Sequence, residues 1–297
     1  MKYQHKDKGI VLLEDGTVFE GKAVGFKGTA TGEICFNTGM TGYQEIFTDP
    51  SYFGQILVCT TPHIGNYGVV PEDQESDEMK ISGLICKRFS NMYSRYRATE
   101  GVVKYFEDQK KVVVSDVDTR AIVEHIRDKG AMNVIISNET MDVDVLKKKL
   151  KDVPSMEGLE LASVVSTKKA FDVVAEKEQF KVALIDLGTK MNIIRCLNER
   201  NCSVRVFPLT TSFEEVISWQ PDGIMLSNGP GDPAPLKGVI ELVKQFVDRQ
   251  IPLFGICLGH QILSLASGLP TLKMHNGHRG INHPVKNLIS GQSEVTS

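Results

Sequence analysis

Long hydrophobic runs, an excess of basic charge and paired cysteines are all missing from this sequence. No apolar stretch among the 297 residues is long enough to span a membrane, so we expect no membrane partner. The formal net charge of −3 argues against the basic face that binds nucleic acid. The start of the chain, MKYQHKDKGI, has no apolar segment of the kind found in signal peptides, so we expect none.

The cysteines are scattered, without paired spacing. This pattern predicts reduced thiols in the cytosol rather than a disulfide framework, and hence a cytoplasmic protein. We expect most of them to be small buried apolar residues, with one exception that is argued below. The six are Cys35, Cys59, Cys86, Cys196, Cys202 and Cys257.

Three segments differ in pattern. Residues 1–153 mix short strands and helices without regular alternation, which indicates a mixed α/β domain. The periodicity weakens over 154–180, where we place a connector. In 181–297, strand and helix patterns alternate four times, which predicts a doubly wound, mostly parallel sheet covered on both faces. The predicted fold class is therefore α/β.

Turn and capping residues mark several element boundaries. Asp15-Gly16 separates two apolar stretches and predicts a hairpin. Ser212 and Glu215 have the spacing of a capping box at the start of a helix. Helices are also predicted at 99–109, at 118–129 and at 142–151.

A cysteine lies between two glycines in GICLG, residues 255–259. A β-rich run precedes this motif and a helical run follows it, which is the context of a nucleophile elbow. We expect the positive end of the following helix, together with a partner histidine, to lower the pKa of the Cys257 thiol. The backbone N–H of Leu258 is suited to receive negative charge from a tetrahedral intermediate. A buried structural cysteine at a tight turn is the alternative.

A second irregular loop, SNGPGDP at 227–233, also follows a predicted strand and precedes a helix. Its glycines and prolines fix a loop with exposed N–H groups, which suits an oxyanion or a polar substrate. An ordinary loop is the alternative. Because the two loops follow successive strands, we expect them to meet over one crevice.

These motifs carry a resemblance to a known family. GICLGHQ together with SNGPGDP resembles the class I glutamine amidotransferases. Further motifs resemble the small subunit of carbamoyl phosphate synthetase, so that the likeness covers nearly the whole chain. These motifs are FNTGMTGYQEIFTDPSY at 36–52, PHIGNYG at 62–68, DVDTRAI at 116–122 and NHPVKN near the C-terminus.

The resemblance implies a glutaminase with a covalent thioester intermediate. Cys257 matches the family's nucleophile, which attacks the side-chain amide of glutamine and releases ammonia. Gly229 and Leu258 match residues whose backbone N–H groups hold the oxyanion.

The resemblance also implies three glutamine-binding residues. Gly231 and Gln261 match substrate-binding positions in the same crevice. Ser51 matches one that the N-terminal domain contributes, although on local sequence alone it reads as a turn residue after Pro50. The pocket would then be completed between two domains, which is a common place for ligand sites.

The family's ammonia passes to a large synthetase subunit, which uses ATP and bicarbonate to make carbamoyl phosphate. This chain contains no P-loop, so we expect no cofactor of its own and assign ATP chemistry to that partner. The product of the family serves pyrimidine or arginine biosynthesis, and the sequence does not distinguish these two pathways.

The sequence departs from the family pattern in its general base. The family's base is a histidine two positions before a glutamate, and this chain has no H-x-E. We expect the catalytic His and Glu, and the rest of an incomplete amidotransferase domain, beyond Ser297. The chain as given is therefore expected to be catalytically deficient. His260, three residues after Cys257, is interpreted as a helix-packing residue.

Three histidines near the C-terminus do not complete a familiar metal-ligand spacing, and no metal is expected. They are His275, His278 and His283.

Two other functions remain open at this point. One is a non-catalytic docking subunit that only organises the large subunit. The other is a different cysteine-dependent amidohydrolase with the same elbow. The intact elbow argues against the first, and the N-terminal motifs argue against the second.

Overall fold

The computed structural model describes residues 7–277, 279 and 283–296. Within this part of the chain, the first half forms a closed seven-stranded barrel and the second half a five-stranded sheet. The predicted α/β class and the mostly parallel second sheet are confirmed. Within the described ranges, no helix is both long and apolar enough to cross a membrane.

The barrel strands follow the order β1-β2-β6-β5-β4-β3-β7, and an antiparallel β1–β7 pair closes the barrel. Strands β3 to β6 are parallel neighbours, whereas the other pairs are antiparallel. The strands are β1 (Lys8–Leu13), β2 (Val18–Gly25), β3 (Thr29–Asn37), β4 (Gln55–Cys59), β5 (Gly83–Cys86), β6 (Val112–Ser115) and β7 (Asn133–Ser137).

Barrel closure explains why the sequence of the first half shows so little alternation. Every residue of β4 to β7 is buried. Along β4, Ile56 and Val58 pack in one apolar cluster, while Leu57 and Cys59 pack in another. Because both faces of such a strand are covered, it reads as a continuous apolar run.

The predicted helices of the first half are confirmed. They are preceded by α1 (Tyr43–Thr48) and a short 3₁₀ helix (Pro50–Tyr52), and a second 3₁₀ helix covers Pro71–Asp73. The Asp118 carboxylate caps the second predicted helix by accepting from the Ala121 N–H at 3.1 Å. The helices are α2 (Val102–Asp108), α3 (Thr119–Lys129) and α4 (Val143–Lys151).

The predicted hairpin at Asp15-Gly16 is also confirmed, because β1 and β2 pair antiparallel across it. Gly16 has a φ of 90°, which a glycine adopts without steric cost. The Asp15 carboxylate accepts from the Thr17 N–H at 3.0 Å and fixes the turn.

The segment 154–180 contains regular structure. It holds α5 (Ala162–Val165) and β8 (Phe171–Val173). Strand β8 pairs antiparallel with a strand of the second sheet, so part of the segment assigned to a connector belongs to that sheet.

The second sheet has the order β12-β11-β9-β10-β8. On β9, Leu184 packs with Ile194 on one face, while Ile185 packs with Val243 on the other, so helices cover both faces. The remaining elements are β9 (Phe180–Asp186), α6 (Met191–Asn198), β10 (Cys202–Pro208), α7 (Phe213–Ser218), β11 (Gly223–Leu226), α8 (Lys237–Asp248), β12 (Leu253–Gly255), α9 (Leu258–Ala266), and the antiparallel pair β13 (His283–Lys286) and β14 (Ser293–Thr296).

Candidate active site

Cys257 occupies the sharp turn between β12 and α9. Its φ of 51° and ψ of −110° place a non-glycine residue in a strained backbone conformation. A Cβ atom added to Gly255 would lie 2.6 Å from the carbonyl carbon of Gly259. A Cβ atom on Gly259 would lie 2.5 Å from the carbonyl oxygen of Leu226. Both glycines are therefore required by space, and the predicted elbow geometry is confirmed.

The glycine-rich loop 227–233 lies beside this elbow. It follows β11, which pairs in parallel with β12, so both loops leave the same edge of the sheet. The Gly259 N–H donates to the carbonyl oxygen of Ser227 at 3.1 Å. A Cβ atom on Gly229 would lie 2.9 Å from Cδ2 of Leu258 and 2.1 Å from the carbonyl oxygen of Leu187. The structure thus brings the two predicted oxyanion residues, Gly229 and Leu258, into contact.

The segment before α5 holds the far end of this loop. Gly231, with a φ of 86°, forms an isolated bridge with Glu160. The Asp232 N–H donates to the carbonyl oxygen of Leu159 at 3.0 Å, and the Asp232 carboxylate accepts from the Gly158 N–H at 2.8 Å. The far end of the glycine-rich loop is therefore held by residues 158–160, which lie outside the second sheet.

The barrel half contributes Ser51 to the same crevice. Ser51 lies in the first 3₁₀ helix, and its N–H donates to the Asp49 carboxylate at 2.8 Å. The Asn228 side-chain amide donates to Ser51 Oγ at 2.9 Å and to Asp49 Oδ1 at 3.1 Å. The structure thus joins Ser51 to the glycine-rich loop, as a pocket between the two halves requires.

Lys190 and Asp49 place opposite charges beside the contact between Asn228 and Ser51. Lys190 donates its N–H to Asn228 Oδ1 at 3.1 Å, and its Nζ lies 3.9 Å from Asp49 Oδ2. Burial raises the pKa of Asp49, although the Lys190 charge and the Ser51 hydrogen bonds oppose that change. Sequence reasoning missed Asp49, Asn228 and Lys190. The only local signal was the position of Asp49 at the start of DPS, where an aspartate caps a turn.

Cys257 is exposed as a residue, although its thiol lies in a largely desolvated position. Desolvation has the largest effect on the pKa of the Cys257 thiol, although the N–H at the start of α9 lowers that pKa as expected, and the partner histidine of that expectation lies outside this sequence. Loss of water around the sulfur raises the pKa of Cys257 above that of an ordinary thiol. The Arg279 guanidinium, the Leu258 N–H and the Lys190 ammonium lower it, and the Asp49 carboxylate raises it. The helix N-terminus and the nearby cations therefore offset desolvation only in part.

Arg279 is another residue that sequence reasoning missed. Its guanidinium lies 5.2 Å from the centroid of the Tyr52 ring, and Nη1 donates to the Ser51 carbonyl oxygen at 3.5 Å. Its own carbonyl oxygen accepts from the Asn37 side-chain amide at 2.8 Å. Arg279 therefore brings a positive charge from the C-terminal segment to the barrel side of the crevice.

Two α9 residues close to Cys257 are exposed. Gln261 donates its N–H to the Cys257 carbonyl oxygen at 3.0 Å, and its side chain faces solvent. His260 is also exposed, so the helix-packing interpretation is wrong. The buried residues of α9 are Leu258, Gly259 and Ile262, and His260 lies away from the face that they form.

The C-terminal histidines take separate positions. The His275 carbonyl oxygen accepts from the Ala131 N–H at 2.7 Å, and His283 begins β13. His278 lies outside the described residues. Within the described residues, no group of three or more His, Cys, Asp and Glu side chains is placed to hold a metal ion.

The fold and this site together define an α/β enzyme domain with a cysteine at the nucleophile position. Residues 183–296 match the family model of the class-I glutamine amidotransferases, and residues 11–136 match that of the carbamoyl-phosphate synthase small chain, CPSase domain. A carbamoyl phosphate synthase small chain from Chlorobaculum tepidum is 46% identical over 97% of this chain and 79% of its own length.

Small chains from two other bacteria are similarly close. That of Vibrio cholerae is 44% identical over 97% of this chain and 80% of its own length. That of Yersinia pseudotuberculosis is 45% identical over 97% of this chain and 78% of its own length. The chain therefore belongs to the carbamoyl phosphate synthase small chain family.

Proposed function

We propose that this chain is the glutamine-hydrolysing subunit that supplies ammonia to a large synthetase subunit making carbamoyl phosphate, and that turnover requires the family's His and Glu, which this sequence lacks. The observation that carries the proposal is the position of Cys257 on a strained elbow, directly before Leu258, whose side chain packs closely against Gly229. The contact between Asn228 and Ser51 supports a substrate pocket shared by the two halves. The family relationship supports the same reaction.

In this mechanism the Cys257 thiolate attacks the side-chain amide carbon of L-glutamine. The carbonyl oxygen becomes an oxyanion, which the N–H groups of Leu258 and Gly229 stabilise. The amide nitrogen takes up a proton and leaves as ammonia, so that a γ-glutamyl thioester remains on the sulfur. Water then attacks the thioester, releases glutamate and returns the thiol.

Substrate binding is assigned to Ser51, Gly231 and Gln261, which lie in the first 3₁₀ helix, the glycine-rich loop and α9. The general base stays a prediction, a histidine two residues before a glutamate beyond Ser297. Such a base is expected because the thiolate is the nucleophile and an ordinary thiol is mostly protonated at neutral pH.

The partner in this proposal is a large synthetase subunit that binds ATP and bicarbonate. The names of the relatives, which are small chains of a carbamoyl phosphate synthase, support a partner subunit, and its use of ATP and bicarbonate stays a prediction. A cytoplasmic location is supported by the six cysteines, all of them free thiols.

Affinity labelling tests the proposed function. A chloromethyl ketone analogue of glutamine should alkylate Cys257 selectively, and L-glutamine should protect it. Cys257→Ser should abolish the labelling, whereas Cys202→Ser, which removes a half-buried thiol elsewhere, should not change it. Peptide mapping by mass spectrometry gives the site.

The docking subunit is a second candidate because this sequence contains no H-x-E to supply the family's general base. It predicts no glutamine-protected labelling in a chain that still binds the large subunit. That pair of results would contradict the glutaminase proposal and support the docking role.

A further inference from the structure

Glu75 lies between the two halves of the molecule, where it contacts both the barrel half and helix α6. It follows the second 3₁₀ helix and is only 6% exposed. Its backbone N–H donates to Thr48 Oγ1 at 2.9 Å, and Ser76 Oγ next to it donates to the Thr48 carbonyl oxygen at 2.6 Å. Thr48 directly precedes Asp49, so Glu75 is attached to the segment that carries Ser51.

On its other side, Glu75 caps helix α6 of the second half. Its carbonyl oxygen accepts from the Met191 N–H at 2.9 Å. Its carboxylate Oε2 accepts from the Asn192 N–H at 2.8 Å. The N-cap residue of α6, Lys190, makes no side-chain cap of its own. The first two N–H groups of the helix are thus satisfied by the barrel half, and a carboxylate meets the positive end of the helix dipole.

Arg195, one turn further along α6, encloses the same segment. Its Nη1 donates to the Glu72 carbonyl oxygen at 2.8 Å, and Nη2 donates to that of Gln74 at 3.3 Å. Nη2 also lies 3.5 Å from Glu75 Oε2. The Glu75 carboxylate therefore has a cation and a backbone donor, which offset the cost of burying its charge.

These contacts form a closed ring with the candidate site. Lys190, the residue before α6, donates its N–H to Asn228, and Asn228 donates to Ser51 and Asp49. The chain then returns through Thr48 to Glu75. The ring contains both sides of the crevice, so a shift of α6 displaces the Asn228 amide relative to Ser51.

We propose that Glu75 is a positioning residue that holds the glutamine crevice at its working width by capping α6 across the two halves. The inference rests on the proposed glutaminase function, since it assigns the crevice to glutamine. Glu75 acts through Lys190 and Asn228 and does not touch the substrate. Its loss should weaken glutamine binding without changing the chemistry of the thiol.

The test uses Glu75→Ala and the isosteric Glu75→Gln. The matched control is Glu72→Ala, because Arg195 contacts Glu72 only through its carbonyl oxygen and the Glu72 side chain is exposed. The first readout is the L-glutamine concentration that half-protects Cys257 from the chloromethyl ketone. The second is the alkylation rate with iodoacetamide, which needs no glutamine pocket. The third is hydrogen exchange at the Asn192 amide.

Glu75→Ala should raise the half-protecting glutamine concentration about tenfold, in line with the loss of a positioning contact. Glu75→Gln keeps an acceptor for the Asn192 N–H and should recover part of that loss. The iodoacetamide rate should change by less than about threefold, because desolvation has the largest influence on the thiol and Lys190 has the smallest of the named influences. The Asn192 amide should exchange faster in Glu75→Ala, and Glu72→Ala should behave like the parent chain.

An unchanged half-protecting concentration in Glu75→Ala, with a faster-exchanging Asn192 amide, overturns the proposal. A fall of about tenfold in the iodoacetamide rate of Glu75→Ala also overturns the proposal. Glu75 would then affect the reactivity of the thiol or the overall stability of the chain rather than glutamine binding. Should Glu75→Ala fail to fold, the comparison of Glu75→Gln with the parent decides in the same way. Failure of the glutaminase proposal is a separate result, because the parent chain itself then shows no protection by glutamine.

Discussion

At the scale of single residues, the Cys257 thiol is subject to opposing electrostatic effects. Desolvation raises its pKa, the Arg279 cation lowers it, and the Asp49 carboxylate raises it again. Desolvation is the largest of these effects, and it favours the neutral thiol over the thiolate. Nearby charges set how much of the thiol can react at a given pH.

Replacing Arg279 by Gln should reduce the reactivity of Cys257 at neutral pH. Removal of the cation raises the thiol pKa further, so the midpoint of the rate of iodoacetamide alkylation against pH should move upwards. We expect the alkylation rate at about pH 7 to fall severalfold, because a higher thiol pKa leaves less thiolate at that pH. Alkylation rates measured between pH 6 and 10 by mass spectrometry test this expectation.

The control for that experiment is Arg249→Gln. Arg249 is also an arginine over an aromatic ring, 4.2 Å from the Phe213 centroid, but it does not contribute to the pKa of Cys257. Its substitution should leave the pH midpoint in place. Equal midpoints in Arg279→Gln and the parent chain would show that the guanidinium does not act on the sulfur.

How far the sequence predicts the site depends on how local each signal is. The elbow was recognised because its glycines and its cysteine are adjacent in the chain. The Asn228 to Asp49 contact joins residues 179 positions apart, and no local pattern encodes that pairing. Ser51 was assigned from the family resemblance and not from its turn chemistry. Sequence reasoning therefore found the nucleophile loop and missed the groups that connect it to the barrel.

At the scale of secondary-structure elements, two glycines test how tightly the elbow is packed. A Cβ atom on Gly259 overlaps the Leu226 carbonyl, whereas a Cβ atom on Gly238 in α8 meets nothing within 4 Å. Gly259→Ala should cost about 1–3 kcal/mol of unfolding free energy through overpacking. Gly238→Ala should add up to about 1 kcal/mol, because alanine is the better helix former. Urea unfolding measures both, and similar free energies in the two variants would contradict the packing argument.

The capping box of α7 gives a second prediction at this scale. Ser212 Oγ accepts from the Glu215 N–H at 3.2 Å, and the Glu215 carboxylate accepts from the Ser212 N–H at 2.9 Å. Ser212→Ala should lower the unfolding free energy by about 1 kcal/mol. Glu214→Gln, in the same turn but outside the box, should change it by less than about 0.5 kcal/mol. Urea unfolding of the two variants decides whether the box contributes as expected.

The sequence predicts local caps and turns but does not predict how the strands of the first half close into a barrel. The capping residues Asp118 and Ser212 and the hairpin at Asp15-Gly16 were recognised because their partners lie within three residues. Closure of the barrel was not recognised, because the β1–β7 pair joins the two ends of the first half. A strand covered on both faces has the same apolar pattern in an open layer and in a closed barrel.

At the scale of the whole molecule, the two halves meet through the crevice and through a C-terminal segment. This segment carries Lys273 and Arg279 and contacts the barrel. Lys273 Nζ lies 2.7 Å from Glu33 Oε2, and the Glu33 side chain is only 11% exposed. Gln55 Nε2 donates to the other oxygen of that carboxylate at 3.2 Å. Near this ion pair, Arg279 reaches Tyr52 and Ser51 from the same segment. Docking of this segment should therefore contribute to the stability of the assembled halves.

Breaking the Lys273–Glu33 pair tests that docking. Lys273→Met leaves a largely buried carboxylate with one neutral donor, and it should cost about 1–3 kcal/mol of unfolding free energy. Glu33→Gln in the Lys273→Met background removes the unpaired charge and should recover part of the loss. The control is Arg120→Met, which breaks an ion pair that is exposed on both sides and should cost less than about 1 kcal/mol. Urea unfolding of the single and double variants gives the coupling energy, and a coupling near zero would mean that the segment does not dock on the barrel in solution.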